Sequence, residues 1–211
     1  MKKIFFIALL IAFSLPVVSQ DMYYGAKAGT NVSHFMYDGA GDFFSENSYM
    51  KLSAHFGGFF EYFLDDYFAL QPELLFNIKG ANFDYPGLDD ARSKYVFKYL
   101  SMPLLVKYYA TKRLSVNLGV EPSYMLQAKN IMQHPDYQSN YGDEETSINL
   151  YEQFKPFDLG ILAGAGYVFD SGIYLDIRYS LGMFDTFNME EAPGKLRNGV
   201  FQLSAGFSLN Y

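Results

Sequence analysis

Ten charged side chains recur inside stretches where greasy and polar residues alternate: Lys27, Glu61, Glu73, Lys79, Lys107, Arg113, Glu121, Asp158, Asp176 and Arg178. Strict alternation puts each of them on the polar face of a β-strand. Five are basic and five acidic, so they can neutralise one another if those faces meet in one interior. Glu73 and Lys107 fall on adjacent segments, as do Lys107 and Glu121, which predicts a Glu73–Lys107–Glu121 cluster. Asp176 and Arg178, two residues apart on one face, join it. An isolated buried charge is costly, so mutual pairing is the first reading of such a set. A proton or ion path through the same residues is the sharper alternative.

Nucleophilic chemistry finds little support. His34 has Ser33 beside it, but neighbours in a strand point to opposite faces. His55 and Ser53 share a face, without an identifiable third member, and His134 sits in a predicted loop. There is no cysteine, hence no thiolate nucleophile, thiolate metal site or disulfide. The "GILAGAG" run at 160–166 lacks the Lys-Ser/Thr ending of a phosphate loop, and its glycines share one parity. The run 143–145 (DEE), with Asp136 and His134 in the same loop, lacks the spacing of an EF-hand. The sequence therefore predicts no catalytic residues, no metal and no cofactor.

The elements that carry these residues are eight alternating segments. In "YYGAKAGTNVSHF", Tyr24, Ala26, Ala28, Thr30 and Val32 oppose Gly25, Lys27, Gly29 and Asn31. In "FQLSAGFSLNY", Phe201, Leu203, Ala205, Phe207, Leu209 and Tyr211 oppose Gln202, Ser204, Gly206 and Ser208. Between the segments, short connections at 64–66, 110–112 and 170–172 alternate with long ones at about 37–49, 81–94, 129–150 and 184–198. That rhythm belongs to a meander crossing a membrane, with short periplasmic turns and longer external loops. A soluble barrel would carry frequent Lys and Glu on its outer face, whereas the second face here is mostly Gly, Ser and Asn. The fold predicted is all-β: an eight-stranded antiparallel up-and-down transmembrane β-barrel. A count of ten follows if 129–150 hides a further hairpin. Prolines 72, 103 and 122 lie inside strand segments and predict local distortions.

Residues 1–19 read as an export signal, with Lys2 and Lys3 before an apolar run too short to span a membrane. Residues 20–211 then form one barrel domain. The net charge of −7 becomes more negative when those lysines leave, which disfavours a nucleic-acid partner. Rings on the short-turn side predict an interfacial girdle: Tyr23, Tyr24, Tyr62, Phe63, Phe68, Tyr108, Tyr109, Tyr167, Phe169 and Tyr211. The four long loops hold thirteen acidic residues against five basic ones, Arg92, Lys94, Lys129, Lys195 and Arg197. Among the acids lie Phe43, Phe44, Phe83, Tyr85, Tyr137, Tyr141, Phe184 and Phe187, either a recognition surface or packing that extends the barrel.

The stretches "QPELLFNIKG" (71–80), "YLSMPLLVKYY" (99–109), "LGVEPSYML" (118–126), "FDLGILAGAGYVF" (157–169) and "YLDIRYSLGM" (174–183) resemble the outer-membrane β-barrel domain family of Bacteroidota, the porin-family or PorT-like small barrels. The resemblance implies a place in the cell outer membrane, with outer-membrane lipid and the barrel-assembly machinery as partners. Phe207, Leu209 and Tyr211 resemble the C-terminal aromatic signal that such machinery recognises. One branch of the family serves a secretion apparatus. The function predicted is a non-catalytic structural or interaction role through the external loops. An envelope-machine component with a protein partner and a narrow pore for small solutes are the alternatives.

Overall fold

The computed structural model describes residues 22–39, 47–84, 92–133, 146–187 and 194–209. The signal at 1–19, the loop acids 143–145 with His134 and Asp136, and Tyr211 lie outside them. Among the described residues there are twelve strands, all paired antiparallel: β1 (Met22–Gly39), β2 (Ser48–Tyr49), β3 (Lys51–Phe63), β4 (Phe68–Lys79), β5 (Asn82–Asp84), β6 (Arg92–Ser101), β7 (Leu104–Tyr109), β8 (Leu114–Gln133), β9 (Thr146–Asn149), β10 (Phe157–Val168), β11 (Ile173–Gly182) and β12 (Gly194–Leu209).

Nine of these make a ring of eight strands. β6 and β7 are one strand interrupted at Met102 and Pro103, and β2, β5 and β9 are short external additions. The ring runs β1, β3, β4, β6/β7, β8, β10, β11, β12, and closes because β12 pairs with β1. Closure abolishes the unpaired edges that a membrane does not tolerate. Within 129–150 the end of β8 pairs with β9, but β9 has four residues and adds no ring strand, so the count stays at eight and not ten. Of the three prolines, Pro103 breaks a strand, while Pro72 and Pro122 stay in register opposite Leu104 and Leu159. A register shift falls instead between Lys98 and Tyr99.

Partners followed round the ring from Tyr62 pass Leu70, Val106, Leu118, Ala163, Tyr179, Phe201 and Val32 and return to β3 at Leu52, ten positions from the start. Such a stagger tilts the strands by about 40°, and eight tilted strands leave an interior that side chains can just fill. The outer face of this path is greasy and bare: Leu52 is 72% exposed and Leu118 61%. Phe56, Leu74, Val106, Ile177 and Leu203 continue the apolar surface. The inner face is buried and polar, the reverse of a soluble protein. Tyr24, Phe68, Tyr108, Tyr167 and Phe169 stand exposed at the short-turn end as a girdle.

Tyr23, Phe63 and Tyr109 do not join that girdle. Their parity turns them inward, where Phe63 lies 5.5 Å from Tyr23 and 5.1 Å from Tyr109, ring centroid to centroid. With Phe59, Val168 and Tyr174 they floor the lumen on the short-turn side. At the other end, Phe97, Tyr99, Met125, Ala128, Leu150, Phe154, Phe187 and Leu196 form a buried apolar cluster. After the 3-10 turn Tyr151–Gln153, Phe154 stacks on Phe187 (5.6 Å) and packs at a tilt against Phe97 (4.8 Å). Phe187 and Phe83, drawn from the acidic loops of the sequence, thus extend the core, while Phe184 stays exposed beside Phe157.

Candidate functional site

Between the aromatic floor and the apolar lid lie the charged residues. Glu73 on β4 takes two parallel hydrogen bonds from Arg178 on β11, at 2.8 and 2.9 Å, and a further ion pair from Lys27 at 2.6 Å. The forked guanidinium matches the carboxylate plane, the strongest form of such a contact. Arg178 also pairs with Asp176 at 2.7 Å, and Asn117 donates to Asp176. Arg178 lies across the lumen because Gly164 on β10 leaves room. A Cβ there would come within 2.7 Å of the arginine Cγ.

Two further pairs flank this centre. Nearer the floor, Lys107 pairs with Glu61 at 2.9 Å and donates to Tyr109 Oη, whose hydroxyl donates in turn to Glu61. Nearer the lid, Lys79 pairs with Glu121 at 2.5 Å, and Asn198 donates to Asp158.

The cluster predicted from sequence is therefore divided. Glu73, Asp176 and Arg178 meet directly, but Lys107 reaches Glu73 only through Gln71, which accepts from Lys107 and donates to Glu73. Glu121 belongs to a separate pair with Lys79. Arg113 is not in the lumen; it sits on an exposed turn bound to Asp170. Its place in the interior balance is taken by Lys51, 9% exposed, whose Nζ donates to the Tyr95 carbonyl. Lys27, for which the alternation named no partner, meets Glu73 on the second ring strand beyond its own.

A second polar unit spans β1, β3 and β12. His55 Nδ1 contacts Asn31 Oδ1 at 2.7 Å, and Nε2 contacts Ser204 Oγ at 2.8 Å. Asn31 donates onward to Asn77 Oδ1. The order Ser–His–Asn has the outline of an acyl-transfer triad, with an amide where a serine enzyme carries a carboxylate. Access is missing: Ser204 is 2% exposed beneath the lid, and Gly29 closes on the imidazole. The unit acts as a hydrogen-bonded tie between strands. Ser53, which shares a face with His55, donates instead to the Ile78 carbonyl. His34 stacks on Tyr179 at 6.4 Å. Phe207 and Leu209 are exposed on the outer face.

The eight closed strands, the greasy exterior and the ionic interior find their match in a family model, outer membrane protein beta-barrel domain, over residues 18–188. The chain belongs to that family. In fold it is similar to Ail, the attachment invasion locus protein of Yersinia pestis, at 12% identity, covering 90% of this chain and 99% of that one with a TM-score of 0.51. It is likewise similar to Neisserial surface protein A, at 11% identity, covering 89% and 99% with a TM-score of 0.51. At such identities the likeness is one of fold. No functionally curated protein matches the chain. The protein is a small outer-membrane barrel, and the outer membrane is its location.

Proposed function

We propose that this outer-membrane barrel is a closed, non-catalytic scaffold that acts through its external rim, within the porin-family or PorT-like group of Bacteroidota. The observation that carries the reading is the filled lumen. An aromatic floor, a layer of ion pairs around Glu73 and Arg178, and the lid of Phe97, Phe154 and Phe187 lie in series along it. Ions crossing it would have to displace paired charges and then enter an apolar cluster, each a costly step. What remains for function is the surface: external loops rich in acids and rings, held by an inert barrel.

Reconstitution in a planar bilayer tests the closed state. The expected outcome is a flat current, and discrete conductance steps would favour the narrow pore instead. Cross-linking in intact outer membranes tests the rim. A stoichiometric envelope partner supports the interaction role and opens the reading of a machine component. A lone band, with a control complex cross-linked well, would restrict the role to structure.

A further inference from the structure

The basic residues that the sequence places in external loops are strand residues, and two of them, Lys94 and Lys129, form one patch with Lys98. Lys94 and Lys98 lie on β6 and Lys129 on β8, all half-buried. Lys129 stands directly opposite Val96, so Lys94 and Lys98 are its two diagonal neighbours. Their alternates Ser93, Phe97, Ala128 and Asn130 are buried in the interior, which turns the three ammonium groups outward, toward lipid.

The patch also sits at a defined height. Up β7 and β6 the outward row reads Tyr108, Val106, Leu104 and Leu100, and turns basic at Lys98. The ten positions from Tyr108 to Lys98 rise about 25 Å at the tilt of an eight-stranded barrel, which is the height of the apolar band. Lys98 therefore marks the external edge of the hydrocarbon, with Lys94 and Lys129 in the headgroup layer above.

None of the three forms an ion pair among the described residues, although four buried cations of the lumen are each matched to a carboxylate. Their cross-strand partners are Ile78, Asn82, Val96, Gln127, Ile131 and Asn149, and none is acidic. Lys51, donating to the carbonyl of Tyr95 beside Lys94, adds a further positive charge behind the patch. Like charges on neighbouring strand positions repel, so the arrangement calls for an anion. We propose that the β6–β8 face binds the phosphate of an outer-leaflet phosphoglycolipid, of the lipid A class. Diagonal neighbours stand about 7–8 Å apart, a span that one phosphate accepting from two flexible ammonium groups can bridge. The acyl chains then lie on the apolar row below Lys98.

The test uses the folded chain in nanodiscs with bisphosphorylated lipid A or its dephosphorylated form, counting retained glycolipid by native mass spectrometry. The wild type is expected to prefer the phosphorylated form. Each single Lys→Gln change at 94, 98 or 129 should weaken that preference by about fivefold, and the triple change by on the order of a hundredfold. The triple Lys→Arg variant should retain it, and Lys112→Gln at the opposite end should leave it unchanged. Equal retention of the two lipids by the wild type, or an undiminished preference in the triple Gln variant that still shows heat-dependent gel migration, would overturn the proposal.

Discussion

Glu73 shows how a single residue can hold a membrane barrel together from the inside. Its carboxylate faces two cations, and its lone pairs are taken by the Arg178 fork, the Lys27 ammonium and the Gln71 amide. Glu73→Gln keeps the volume but leaves two buried cations short of a counter-charge. The expected loss is about 3–5 kcal/mol, read as a lower urea midpoint for unfolding from lipid vesicles. Lys107→Leu acts on the pair nearer the floor, where Glu61 keeps its hydrogen bond from Tyr109. The loss there should be smaller, about 1–3 kcal/mol. Combining it with Glu61→Gln should recover part of that loss, because both charges then leave together. A double-mutant cycle on the same midpoint measures the recovery, and a double variant no more stable than Lys107→Leu alone would contradict a direct pair.

At the level of the strands, parity was legible and partnership was not. Alternation along β1, β3, β4 and β12 assigned Lys27, Glu61, Glu73, Lys79 and Gln202 to the interior, because one face must be greasy for lipid and the other polar. The partners stayed hidden because the strands are staggered. Residues level with one another are not those nearest in sequence, and Glu73 meets Arg178 at 105 residues' separation. The shift between Lys98 and Tyr99 had a second effect: it reverses the odd-even rule along β8, so odd Glu121 faces inward while odd Lys129 faces out. Polar composition also masked strand length, since β8 runs to Gln133 through what reads as loop. The glycines of β10 carry a strand-level prediction. Gly164→Val would press a branched side chain on Arg178, whereas Gly58→Ala meets only the Gly25 carbonyl at 3.4 Å. Overpacking of this kind costs about 1–3 kcal/mol, so Gly164→Val should melt from its compact gel form at a clearly lower temperature than Gly58→Ala.

The whole molecule behaves as a stoppered cylinder, and its natural lack of cysteine makes that property measurable. A single cysteine reports the environment of its position to a thiol reagent that cannot cross membranes. Ser147→Cys on β9 is exposed at the external end and should label on intact cells. Ser171→Cys lies on the short turn between β10 and β11, on the periplasmic side, and should label only after the outer membrane is opened. Ser123→Cys, 2% exposed below the lid, should resist the reagent in both states. Its resistance depends on Phe154, which packs against both Phe97 and Phe187. Removing that ring leaves a cavity beside the polar lumen, at a cost of about 3–5 kcal/mol. Water then has polar partners to join it, namely the Ser101 and Ser123 hydroxyls and the Lys79–Glu121 pair. Phe154→Ala should therefore expose Ser123→Cys to labelling from outside while the planar-bilayer current stays flat, because the Glu73–Arg178 layer and the aromatic floor still close the lower half. Labelling of Ser123→Cys with Phe154 intact would place the seal elsewhere. Current appearing in Phe154→Ala alone would show that the lid, and not the ionic layer, is what closes the barrel.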